Sequence, residues 1–229
     1  MIPLRDTNPR RGGFPFVNVA IIIANILMFF WQLSLGPRLQ GTIASIGFVP
    51  SEFFAPGGAA EGGFNILISM FLHGGWLHLG SNMLYLWIFG DNIEDRMGHG
   101  RYLVFYLVCG YAAALTHAFF NATSSLPAIG ASGAVAGVLG AYIVLFPRAH
   151  VMTLIPFGFF IAMREIPALL VLGFWFVMQL FTGVASIGVT TAQTGGVAWW
   201  AHIGGFVAGL ALIFVFRRKK ETAAFPRFE

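Results

Sequence analysis

Six stretches of nearly unbroken apolar residues run along the chain, at 16–33, 76–89, 102–120, 129–146, 166–183 and 199–216. A helix needs about 20 mostly apolar residues to cross a bilayer, with a range of about 17 to 25. Five of the stretches meet that length alone, and 76–89 meets it with part of its flanks. The strands of a membrane barrel would show short alternating segments instead, and unpaired backbone groups in lipid cost several kcal/mol each. Continuous runs therefore predict helices, and the expected fold class is an all-α integral membrane protein, a bundle of six transmembrane helices.

The polar residues between the runs predict an orientation. Arg5, Arg10 and Arg11 precede the first run, the segment 91–101 follows the second, Arg148, Arg164 and Glu165 separate the fourth from the fifth, and Arg217, Arg218, Lys219 and Lys220 follow the sixth. By the positive-inside bias both termini are expected to be cytoplasmic. The parts are then a cytoplasmic N-terminal tail (1–15), a membrane domain (16–217) with a long first external loop (34–75), and a basic cytoplasmic C-terminal tail (218–229). The loop contains a short apolar stretch at 64–72 that reads as interfacial or partly embedded, and the loop at 180–198 is small, uncharged and suited to a mobile cover. No internal repeat or domain boundary is visible, and the tail before the first run does not have the pattern of a cleavable signal peptide.

Composition agrees with this placement. Only 10% of residues are charged and 57% are hydrophobic, where a soluble domain carries about 25% charged residues. The formal charge of +4 falls at the membrane edges, so topology explains it and no nucleic-acid partner is needed. The partner implied is the lipid bilayer, and a prokaryotic plasma membrane fits most simply. One cysteine, Cys109, excludes an internal disulfide and a cysteine-based metal cluster. There is no H-E-x-x-H helix and no intramembrane Asp pair, so neither a metal nor an aspartyl mechanism is expected.

Polar side chains at membrane depth are costly and ask for a reason. The expected topology puts His78 and Asn82 near the outer end of the second span, Ser132 near that of the fourth and His202 near that of the sixth, all at one level. His78 and Asn82, four apart, share a helix face. Gly133 with Gly137, and Gly205 with Gly209, are small-xxx-small pairs that let helix backbones approach closely. Ser132 Oγ could thus come within reach of the His202 imidazole, the arrangement that activates a serine nucleophile. Only Glu52 and Glu61 are acidic on the outer side, so a Ser-His dyad is expected rather than a triad. His78, Asn82 and the Ser132 N–H are candidate oxyanion donors. Asn18, Asn25 and Gln32, spaced seven apart, are expected to make interhelical hydrogen bonds, and His117 is expected at an interface or in a loop.

These residues resemble a known family, the rhomboid intramembrane serine proteases. The matching stretches are HGGWLHLGSN at 73–82, GDNIEDRMG at 90–98, GASG at 130–133 and AHIGGFVAG at 201–209, in the family's order, and the likeness covers 15–218. The resemblance implies a six-helix core, active site open to the extracytoplasmic side, that cleaves single-span membrane proteins in or near their transmembrane segments without a cofactor. It implies Ser132 as nucleophile, His202 as general base, His78 and Asn82 as oxyanion partners, and Glu94 with Arg96 as an inner-side structural network. It also implies a preference for small residues before the cut and helix-weakening residues after it. Phe64 and Asn65 replace a common Trp-Arg of the first loop. Ala136 stands where an aromatic often packs on the catalytic histidine, leaving the imidazole either less firmly held or held by Phe or Trp from another span. The alternative is a non-proteolytic rhomboid-like chaperone or dislocation factor.

Overall fold

In the computed structural model, which describes residues 1–8, 13–157, 160–186 and 198–218, the chain opens with strand β1 (Ile2–Asp6) and helix α1 (Phe16–Ser34). The long first loop follows as α2 (Leu39–Ile46), α3 (Pro50–Phe53) and α4 (Gly58–Ser69). Then come α5 (Trp76–Tyr85), a π-helical turn (Leu86–Gly90), α6 (Asp91–Met97), α7 (His99–Phe120) and α8 (Ser132–Leu145). Strands β2 (His150–Phe157) and β3 (Phe160–Pro167), then α9 (Ala168–Ala185) and α10 (Trp199–Phe216), complete it. Four helices, α1, α7, α9 and α10, are long and apolar enough to cross a membrane. Arg10, Arg11, Lys219, Lys220, the tail beyond Arg218 and most of the 180–198 loop lie outside the described residues.

The helices bury polar residues beside large apolar ones and leave many other large apolar side chains exposed, a surface unlike that of a water-soluble bundle. On α1, Asn18, Ile21, Asn25, Phe29 and Gln32 recur every three or four residues and face inward. Ile23, Leu27, Phe30 and Trp31 face outward and are exposed. Asn18 donates to the Leu86 carbonyl at 2.9 Å and accepts from the Tyr102 hydroxyl at 2.8 Å. Gln32 clamps the backbone of His73, donating to its carbonyl at 3.1 Å and accepting its N–H at 2.9 Å. Asn18 thus makes the interhelical bonds expected of the stripe, Gln32 instead holds the connection before α5, and Asn25 donates to the Ile21 carbonyl of its own helix at 2.8 Å.

α8 is the centre, with every residue from Gly133 to Tyr142 buried. A helix covered on all sides must accept neighbours at close range, and here glycine supplies the room. A methyl group placed on Gly205 would lie 1.9 Å from the Gly133 carbonyl oxygen, and one on Gly209 would lie 2.0 Å from that of Gly137. On the side toward α7, groups added at Gly133 and Gly137 would meet the Cβ atoms of Ala113 and Cys109, each at 2.5 Å. The backbones of α8 and α10 are thus in direct contact, as the two glycine pairs predicted.

The entry to α1 is tied down by a distant carboxylate. Pro15 precedes the helix and no side chain caps it locally, so the first-turn N–H groups need partners. Glu94, buried on α6, accepts from the N–H of Val17 at 3.0 Å and of Asn18 at 2.7 Å, and its carboxylate also meets His99 Nδ1. Arg96, expected to act with Glu94, instead lays its guanidinium over the Phe146 ring at 4.9 Å.

Two expectations are corrected. The chain is not all-α: β1, β2 and β3 form an antiparallel three-stranded sheet in that order. Its residues alternate, with Val151 and Thr153 buried between partly exposed Met152 and Leu154, which is the strand period of two; the neighbouring arginines drew the reading toward a loop. The N-terminal segment is correspondingly not a free tail. β1 pairs with β2, and Asp6 accepts hydrogen bonds from the Tyr142 hydroxyl of α8 at 2.6 Å and the Asn92 amide at 2.8 Å.

Three substitutions test this packing. Gly209→Val is expected to force α10 away from α8 and to lower stability in detergent by about 1–3 kcal/mol or more, the range for overpacked cores. Gly173→Ala on α9, where an added methyl meets nothing within 4 Å, is expected not to lower the thermal unfolding midpoint and to raise it slightly, as alanine replaces glycine inside a helix. Glu94→Ala removes two charge-assisted bonds to the start of α1, each worth about 1.5–3 kcal/mol, and is expected to lower that midpoint by several degrees, with Glu94→Gln in between.

Candidate active site

The first residue of α8 is Ser132, and a half-buried His202 lies in the first turn of α10. Because the glycine pairs set these helices backbone to backbone, the side chains at their matching ends meet: His202 Nε2 lies 2.8 Å from Ser132 Oγ. The other ring nitrogen, Nδ1, lies 2.7 Å from the amide oxygen Oε1 of Gln179 on α9. Trp175, one turn earlier on α9, packs at a tilt against the imidazole with centroids 5.8 Å apart, and Trp199 meets it edge-on at 6.2 Å. Of the two outcomes left open by Ala136, the second holds: aromatic residues from α9 and α10 brace the ring.

His78 and Asn82 lie on one face of α5, which touches α8. The N–H of Gly74 donates to His78 Nδ1 at 3.3 Å, leaving Nε2 to carry the ring proton. That nitrogen faces Gly130: a methyl group on Gly130 would lie 2.7 Å from His78 Nε2 and 3.6 Å from Ser132 Oγ. Gly130 has φ of +129°, a backbone region hostile to other residues, so glycine here both permits the turn into α8 and leaves open the space between His78 and Ser132. Asn82 is buried, and its amide nitrogen has no hydrogen-bond partner among the described residues. Among the described residues no side chain caps α8, so its first N–H groups lack intrahelical partners. All four expected residues therefore sit around Ser132 or on the helix beside it.

The first loop forms one wall. Phe48 and Ala128 pair as an isolated bridge, with the Ala128 N–H donating to the Phe48 carbonyl at 2.8 Å. Ser69, at the end of α4, accepts the Gly130 N–H at its carbonyl (2.8 Å) and the Phe48 N–H at Oγ (2.6 Å). The Tyr111 hydroxyl of α7 donates to the Gly63 carbonyl at 2.8 Å. These bonds anchor the loop without a Trp-Arg pair; Phe64 is exposed and Asn65 is buried. Beside Ser132 a small cavity of about 40 Å³ is lined by Ser69, His117, Gly130 and Ala201 among others. His117 is buried against it rather than lying in a loop.

Gln179 is the residue that sequence reading missed. A polar amide within an apolar span was a signal of the kind that drew attention to the stripe on α1.

The Rhomboid domain profile matches residues 61–219. The chain is similar to the Rhomboid protease GluP of Bacillus subtilis, 33% identical over 141 residues that make up 60% of this chain and 26% of that protein. It is similar to RHOMBOID-like protein 1 of Arabidopsis thaliana, 30% identical over 92% of this chain and 56% of the relative. Rhomboid protein 1, mitochondrial, of Saccharomyces cerevisiae is 36% identical over 38% of this chain and 27% of its own length. The chain thus spans between about a quarter and just over half of the length of these relatives. With the profile covering more than half of its residues, the chain is an integral membrane protein that belongs to the rhomboid family.

Proposed function

We propose that this protein is an intramembrane serine endopeptidase that cleaves single-span membrane proteins in or near their transmembrane segments, with Ser132 and His202 as the reacting pair. The observation that carries the proposal is the 2.8 Å approach of His202 Nε2 to Ser132 Oγ, hydrogen-bond reach for a general base and its nucleophile.

In this reading Nε2 takes the hydroxyl proton as Oγ bonds to the substrate carbonyl carbon, whose π electrons move to oxygen. The oxyanion is met by the His78 Nε2–H, the Asn82 amide and the free N–H groups opening α8. Nε2 then passes its proton to the leaving amine as the C–N bond breaks. Water, deprotonated by the same nitrogen, attacks the acyl-enzyme and frees the serine. The cavity beside Ser132, at about 40 Å³, has room for water, which needs about 10–15 Å³ of such volume.

The six crossings are α1, the continuous helical run 76–97, α7, α8, α9 and α10, with both termini on the cytoplasmic side. α8 has 14 residues and rises about 21 Å, roughly 9 Å short of the hydrocarbon thickness. Its N-terminal end thus falls inside the membrane, and the extended backbone leading to it is satisfied by the first loop, as buried irregular backbone must be. That geometry favours a scissile bond just beneath the outer lipid surface, reached from the extracytoplasmic side.

The test is cleavage of a single-span substrate by purified protein in liposomes. The parent is expected to cut; Ser132→Ala is expected to lose activity by at least about 10³-fold, and a Ser132→Ala protein that cuts as fast as the parent would overturn the mechanism. Asn82→Ala is expected to lower kcat by about 10²- to 10³-fold, the loss typical of one oxyanion donor, with KM little changed. A folded parent that binds substrate helices and does not cut them would favour the chaperone alternative.

A further inference from the structure

Resting on the protease reading, we infer that Gln179 is a third member of the site, a positioning residue whose amide oxygen holds His202 in the tautomer that can act as a base.

The argument begins with where the amide sits. Gln179 is 8% exposed on α9, an apolar helix whose neighbouring Val177, Met178, Leu180 and Phe181 face outward while the amide is turned inward. Burying an amide in such surroundings is unfavourable unless it is hydrogen-bonded. Its partner is His202, with Oε1 2.7 Å from Nδ1. An amide oxygen only accepts, so Nδ1 must carry the proton; a neutral imidazole has one N–H, and Nε2 is left with a lone pair directed at Ser132 Oγ, 2.8 Å away. The opposite tautomer would put Nε2–H against the hydroxyl and could not remove its proton. Gln179 thereby selects the competent form before substrate arrives.

A second observation on the same helix points the same way. Trp175 is four residues before Gln179 and so on the same face, and its ring packs against the imidazole. One side of α9 thus fixes both the plane of the ring and the identity of its protonated nitrogen. A neutral amide does this without adding a charge at membrane depth, where a carboxylate is costly. The expected dyad becomes a Ser-His-Gln arrangement, and the lack of an acidic residue near the site is explained by chemistry suited to lipid.

The titratable groups that face His202 across the site are His78 on α5 and His117 on α7; Gln179 is neutral and adds no charge. Replacing it with a carboxylate would preserve the acceptor and favour the imidazolium.

The experiment measures kcat, KM and the pH profile of kcat/KM for cleavage of a single-span substrate in liposomes, with thermal unfolding as a check on folding. Gln179→Met keeps length and removes the acceptor, and it is expected to lower kcat by about 10- to 100-fold with KM within about twofold. That is less than the roughly 10⁴-fold lost when a carboxylate orienter is replaced and the tautomer is reversed. Gln179→Asn, which withdraws the amide by one methylene, is expected to be impaired similarly and serves if the Met protein does not fold. Gln179→Glu is expected to retain kcat near the parent and to move the acid limb of kcat/KM to higher pH. A Met or Asn protein within twofold of the parental kcat, or a Glu protein as impaired as these with an unmoved acid limb, overturns the inference. A parent that does not cleave removes the protease reading itself, which separates the two failures.

Discussion

The direct contact of two helix backbones, α8 on α10 at Gly133–Gly205 and Gly137–Gly209, is the constraint on which the rest of the structure depends. Helices packed through ordinary side chains keep their axes about 8–10 Å apart. At that spacing a serine and a histidine on facing helices need not meet at hydrogen-bond distance. Removing every Cβ from the contact draws the axes together and fixes rotation and translation at once, because each glycine faces the carbonyl of the other helix. Lipid tails supply no hydrophobic drive for helix pairing, so close packing of this kind carries much of the association.

The other features hold that contact in place. α7 packs against both helices, with Ala113 lying against Gly133 and Gly205 and Cys109 against Gly137. At the end of the bundle away from Ser132, Glu94 ties α6 to the start of α1, and Asn18 ties α1 to the π-helical turn and to Tyr102. Tyr142, near the C-terminal end of α8, is bound to Asp6 of the three-stranded sheet. The helix that presents Ser132 at one end is thus fixed at the other, through contacts that take no part in the chemistry. The sheet extends this support into the segment between α8 and α9.

How much of this was legible follows from the kind of signal each feature leaves. The apolar helices and the glycine pairs are periodic or local, and apolar length with small-residue spacing exposes them. Strand β2 alternates over a short run, but pairs with β1 from the far end of the chain, and flanking arginines masked it. The cap on α1 comes from Glu94, 76 residues beyond Asn18, and no local capping pattern announces it. Gln179 meets its partner 23 residues away across two helices whose mutual rotation the sequence does not state. Trp175, which takes the place of an aromatic at Ala136, was anticipated in kind but not by position for the same reason.

In the proposed function Ser132 is made reactive by geometry and not by charge, through an imidazole held between its hydroxyl and the Gln179 amide. That account is tested most directly by treating the folded protein in detergent with a fluorophosphonate and locating the adduct by peptide mass spectrometry. The account expects a single adduct on Ser132 that disappears in His202→Ala. Equal labelling of Ser132 in the His202→Ala protein, or no labelling of the folded parent, would contradict it.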